Sequence, residues 1–190
     1  MALVLVTGGA RSGKSAAAQR LVERRAAETG ASVVVAVFGS ADGDPEMEAR
    51  IERHRADRPG SFAVIEATDS FAWITEVPPD ALLLVDCLGT LTGLAMARSS
   101  AESALDPLLA GLIATLRDRP GDTVVVTNEV GSGVVPAYES GRVFRDVLGR
   151  ANAALAACAD AAYLAVSGRL IDLHAFPTEM TWPSRKDSDL

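Results

Sequence analysis

Short aliphatic and β-branched runs recur along the chain at residues 2–7, 32–37, 62–66, 81–86, 123–128 and 161–166. Their apolar residues are continuous rather than alternating with polar ones, the pattern of parallel strands covered on both faces. Amphipathic stretches at 13–28, 45–57, 88–98, 107–117 and 140–159 fall between them and read as helices. Pro45 and Pro107 stand where a first helical turn accepts a residue without an N–H, with Asp44 and Asp106 as N-cap candidates. Strand and helix alternate throughout, which predicts an α/β domain with a mostly parallel sheet and helices on both faces. There is no internal repeat. Residues 175–190, with two prolines, Lys186 and scattered acids, read as a loosely held tail on a single domain of residues 1–174.

Composition narrows the partners. The 190 residues, 48% of them apolar, suffice for one compact domain with a full core. A net charge of −7 lacks the cationic field that non-specific nucleic-acid or anionic-membrane binding requires, so any polyanion must be gripped locally. Cys87 and Cys158 lie outside any C-x-x-C spacing, which excludes a zinc ribbon and fits buried, reduced thiols. There is no basic, cleavable leader, and no apolar stretch approaches the roughly 18 residues of a membrane span. The expectation is a soluble cytoplasmic protein without nucleic-acid partner or membrane span.

Residues Gly8, Gly9, Ala10, Arg11, Ser12, Gly13, Lys14 and Ser15 spell G-x-x-x-x-G-K-[ST] between the first strand and the first helix. The glycines let the backbone curl so that successive N–H groups converge on phosphate oxygens, and the helix N-terminus adds its dipole. Lys14 supplies a point charge at the outer phosphates, and the Ser15 hydroxyl can hold Mg²⁺. The strand 81–86 ends in Asp86, the position of a carboxylate that completes an Mg²⁺ site beside the phosphates. Strands that leave a core often end in Asp, so Asp86 gains this meaning only from the phosphate loop.

Two further segments carry candidate chemistry. Arg50, His54 and Arg58 are spaced by four and share one helix face if the helix continues that far. Such a face suits a triphosphate, with an imidazole nitrogen as nucleophile or base. By spacing alone the stretch fits better a solvated helix in which Glu48, Glu52 and Asp57 balance the arginines. The glycine-rich loop 127–136, opening Thr127-Asn128-Glu129, follows a buried strand and belongs at the phosphate end of a parallel sheet, or is a simple connector. His174 stands apart from these groups, as a surface or packing residue.

Together these segments resemble the bifunctional adenosylcobinamide kinase and adenosylcobinamide-phosphate guanylyltransferase family of cobalamin biosynthesis. The resemblance rests on residues 6–15, on Arg50-Ile51, His54-Arg55 and Arg58-Pro59, and on residues 127–136. It continues through Phe144-Arg145-Asp146 and 149–152 to Val166-Ser167-Gly168. It implies a single-domain P-loop NTPase of RecA-like fold that assembles as a homotrimer. It implies phosphorylation of adenosylcobinamide by GTP or ATP with Mg²⁺, then transfer of GMP from GTP through a GMP-histidine to adenosylcobinamide phosphate. By position the histidine is His54, with Lys14 assisting. The loop Gly8 to Ser15, Arg55, Ala56, Asp57, Arg58, Glu66 and Asp86 become nucleotide-binding, Glu66 as acceptor for a guanine edge, and Ser15 and Asp86 hold the metal. The residues alone also admit a different small-molecule kinase without covalent intermediate, or a regulatory nucleotide-binding module.

Overall fold

The computed structural model describes residues 1–39, Glu52 and 59–179. The predicted helix 45–57, Glu52 apart, and with it His54 and residues 55–58, lies outside the described residues.

Among the described residues seven strands form one sheet in the order β3-β2-β4-β5-β1-β6-β7. They are β1 (Leu3–Gly8), β2 (Val33–Phe38), β3 (Ala63–Ala67), β4 (Leu82–Asp86), β5 (Thr123–Asn128), β6 (Ala161–Val166) and β7 (Arg169–Asp172). The first six are parallel, and β7 returns antiparallel to β6. Among the described residues the α-helices given over their length are α1 (Lys14–Thr29), α2 (Ala72–Glu76), α3 (Leu88–Arg98), α4 (Glu102–Asp118) and α5 (Glu139–Cys158).

The continuous apolar runs do what their pattern requires, because successive residues feed two different cores. Leu3, Leu5, Leu83, Val85 and Val125 pack on one face against Leu91 of α3, Leu105, Leu109 and Leu112 of α4, and Leu148 and Leu155 of α5. Val6, Leu82, Leu84, Val124 and Val126 pack on the other face against Ala18 and Val22 of α1. α1 ends at Gly30, whose φ of 73° and N–H bond to the Ala26 carbonyl close the last turn.

Three features differ from the sequence pattern. α4 starts at Glu102, not at Pro107, and Pro107 lies inside it. Asp106 does not cap the helix; with Glu102 it accepts hydrogen bonds from Arg150 on α5. Pro107 removes a partner from the carbonyl of Ser103, and both residues are exposed, so water can serve it. α2 and β7 are additional elements. β3 is exposed at Ala63, Val64 and Glu66 rather than covered on both faces.

Candidate nucleotide site

In a parallel sheet every C-terminal strand end faces the same way, and here those ends carry the polar residues. The loop after β1 turns through Arg11 (φ 56°) and Gly13 (φ 90°) into α1. Gly8 fits only as glycine: a Cβ there would lie 2.5 Å from the Ala165 carbonyl oxygen and 2.7 Å from Ser12 Oγ. Gly13 is the N-cap and offers no side chain, so the first turn of α1 keeps its N–H groups directed at the loop. Lys14 is buried and its Nζ donates to the Gly9 carbonyl at 3.1 Å, which places the ammonium within the loop. Ala10 and Arg11 are exposed at its apex, Gly9 is half-buried, and Ser12 is buried with no partner for its hydroxyl among the described residues.

Ser15 Oγ donates to Asp86 Oδ1 at 3.4 Å. β5 lies between β1 and β4, so the two side chains meet across an intervening strand. A hydroxyl and a carboxylate oxygen this close are hard donors that fit Mg²⁺, which takes one or two protein oxygens and completes its shell with water and phosphate. Glu66 pairs with Val37, and Val37 with Asp86, so the three form one row across β3, β2 and β4. Glu66 therefore shares the face and level of Asp86, about 10 Å away at two strand spacings, and is exposed.

Sequence reasoning assigned no role to the structural braces of this site. Gly168 N donates to the Ser12 carbonyl at 3.0 Å, so the β6–β7 turn supports the loop from outside. That turn is Ser167-Gly168, both at positive φ (49° and 77°), the twist-compatible two-residue hairpin. A Ser-Gly pair between two apolar runs was its sequence signal. Glu129 N donates to the Gly8 carbonyl at 3.0 Å and fastens the end of β5 to the loop. The Glu129 side chain then folds the following turn, with Oε1 accepting from Gly131 N at 2.6 Å and Ser132 N at 3.1 Å. Cys87 is buried as expected yet polar in its contacts, with Sγ 3.2 Å from Thr90 Oγ1. His174 is exposed, its Nε2 3.1 Å from the Ala156 carbonyl oxygen, far in kind from a catalytic setting.

A phosphate loop after β1, an acid at the end of β4 and one strand between them define a P-loop nucleotide-binding α/β protein. Residues 4–173 match the family described as CobU, cobinamide kinase / cobinamide phosphate guanyltransferase. The chain belongs to that family. It is 37% identical to the bifunctional adenosylcobalamin biosynthesis protein CobU of Salmonella typhimurium over 180 residues, which cover 87% of this chain and 96% of that protein. It is 38% identical to the bifunctional adenosylcobalamin biosynthesis protein CobP of Pseudomonas aeruginosa over 176 residues, 91% of this chain and 98% of that one. Among solved structures, a KaiC-like protein from Pyrococcus horikoshii aligns with a TM-score of 0.48 at 18% identity, over 86% of this chain and 70% of that one.

Proposed function

We propose that this chain carries out both reactions of its family, with His54 as the covalent carrier of GMP. In the first, the hydroxyl oxygen of adenosylcobinamide attacks the γ-phosphorus of GTP or ATP, the P–O bond to the nucleoside diphosphate breaks, and the hydroxyl proton is released. In the second, a His54 ring nitrogen attacks the α-phosphorus of GTP and pyrophosphate leaves. An oxygen of adenosylcobinamide phosphate then attacks the same phosphorus, the P–N bond breaks, and adenosylcobinamide-GDP departs with His54 regenerated.

The observation that carries this reading is the 3.4 Å approach of Ser15 Oγ to Asp86 Oδ1 beside a phosphate loop, on a chain that matches the family over residues 4–173. Lys14 and the loop amides offset charge on the phosphoryl oxygens, which is most of what a phosphoryl-transfer site must do. Ser15 and Asp86 hold Mg²⁺, which when bound neutralises further phosphate charge. Residues 55–58 bring two arginines to the nucleotide that His54 attacks, and Glu66 accepts from the guanine N1–H and amino group. The working unit is a homotrimer in the cytoplasm. Among the described residues no helix is long and apolar enough to cross a membrane.

The test is incubation with GTP labelled at the α-phosphate and Mg²⁺, for the native chain and His54→Ala. The expected result is protein-bound label that survives base, is lost in acid, and is absent from the variant. Folded native protein that binds GTP and phosphorylates adenosylcobinamide yet takes up no label overturns the His54 proposal in favour of a kinase without covalent intermediate.

A further inference from the structure

The proposed chemistry leaves Asn128 without a role, although the fold places it at the centre of the site. It is the last residue of β5, with Gly8 of the phosphate loop as its register partner. On the other side of β5, Asp86 pairs with Val126, so Asn128 stands one side-chain repeat beyond Asp86 toward the ligand end and on the same face. The main chain here is held independently of the Asn128 side chain. Thr127 Oγ1 donates to Asn152 Oδ1 at 2.7 Å, Asn152 Nδ2 donates to the Asn128 carbonyl at 2.9 Å, and Glu129 N donates to Gly8. The side-chain Oδ1 accepts the thiol of Cys87 at 3.6 Å, the residue that follows Asp86. Its Nδ2 has no protein acceptor among the described residues, in a half-buried side chain that lies beside Cys87 and Gly89, on the strand between those that carry Asp86 and lead into the loop.

We propose that Asn128 is a further catalytic residue of the kinase step, its Nδ2 donating to an oxygen of the γ-phosphoryl group as that group moves from nucleotide to substrate hydroxyl. Asn128 makes and breaks no covalent bond. A neutral donor strengthens as charge redistributes over the phosphoryl oxygens, and unlike a carboxylate it does not repel them. With Oδ1 accepting the Cys87 thiol, Nδ2 is the end of the amide turned away from Cys87. The inference rests on the kinase reading above.

Asn128→Ala and Asn128→Asp, in the full chain, separate the donor role from a structural one. Asp keeps the size and still accepts the Cys87 thiol, but as a carboxylate it donates nothing. Both variants are expected to lower kcat for phosphorylation of adenosylcobinamide about 10- to 100-fold, with Asp at least as slow as Ala. The dissociation constant of the Mg²⁺–nucleotide complex with Ala should change by less than about 3-fold, since the loss falls on the transition state. An Asp variant that outperforms Ala shows that only the acceptor for Cys87 matters and overturns the proposal, as does an Ala variant with native kcat. Native protein that binds nucleotide without phosphorylating adenosylcobinamide overturns the kinase reading itself and this inference with it.

Discussion

Ser15 and Asp86 are 71 residues apart in the chain and 3.4 Å apart in the fold, oxygen to oxygen. Neither belongs to the same hairpin or helix as the other; the ordering of β1, β5 and β4 alone brings them together. Asp86→Asn keeps the shape and an acceptor oxygen but removes the charge that a divalent cation needs. The expected outcome is a fall of about 10²–10³-fold in both kinase and guanylyltransferase rates, partly recovered at high Mg²⁺ concentration. Mg²⁺ titrations of the initial rate check this, and an unchanged half-saturating Mg²⁺ concentration in the variant contradicts the metal role of Asp86.

Gly8→Ala tests how tightly the loop is seated. The new methyl would meet the Ala165 carbonyl oxygen at 2.5 Å and Ser12 Oγ at 2.7 Å. Ser12 can rotate, but the carbonyl is part of β6, paired to β1 along its length, so β1 and β6 must separate. About 1–3 kcal/mol of stability should be lost, with nucleotide affinity reduced more than about 10-fold because the loop amides no longer converge. Thermal melts and nucleotide titration measure the two effects, and a variant that binds nucleotide natively shows that the loop tolerates the shift.

The phosphate loop was legible because its job dictates residue identity at fixed spacing, from Gly8 to Ser15, within eight consecutive positions. The parallel sheet was legible because burial on both faces leaves unbroken apolar runs such as residues 81–85. What local sequence could not carry was determined by distant partners. α4 extends to Glu102, with Leu105 and Leu109 of its first turns buried in the core and Arg150, 48 residues later, bonding Glu102 and Asp106 on the outside. α2 is a single turn seated by Trp73, whose ring meets Phe38 edge-on at 5.7 Å. β7 reads Arg169-Leu170-Ile171-Asp172, all exposed, so it has no buried face to mark it, and its one local signal is the Ser167-Gly168 turn that pairs it with β6. The braces on the loop, Gly168 to Ser12 and Glu129 to Gly8, are backbone bonds, which side-chain identity does not encode.

Arg119 sits at the opposite end of the sheet from the phosphate loop and is only 5% exposed. Its Nη2 donates to the carbonyls of Pro78 and Ala81, both at 2.7 Å, and its Nη1 to that of Asp122 at 3.3 Å. Burial lowers its pKa, opposed by Asp122 and Asp80, yet a guanidinium remains charged at any working pH. Arg119→Met fills similar space but withdraws the guanidinium donors from all three carbonyls, of which those of Pro78 and Asp122 keep the N–H groups of Ala81 and Leu83, so a loss of about 1–3 kcal/mol is expected in urea unfolding. Nucleotide affinity of the folded variant should match the native protein, and a large change in it shows that this end of the sheet is coupled to the site.

Asp122 ties the start of β5 to β1 and α1, its Oδ1 accepting from Ala2 N and its Oδ2 from Arg25 Nε, both at 2.8 Å. Desolvation pushes its pKa up, but the hydrogen bonds from Arg25 and Ala2 and the charge of Arg25 outweigh that and hold it below 3.8. The unfolded chain therefore takes up this proton at a higher pH than the folded one, and acid favours unfolding. The stabilisation is complete above the ordinary carboxylate pKa and disappears as pH falls through the depressed folded value. Asp122→Asn should be less stable than the native chain at pH 7, and the gap should begin to close as pH drops through about 4. Urea midpoints of both proteins from pH 7 to pH 3 test this, and a gap independent of pH would show that the amide loses shape complementarity rather than charge.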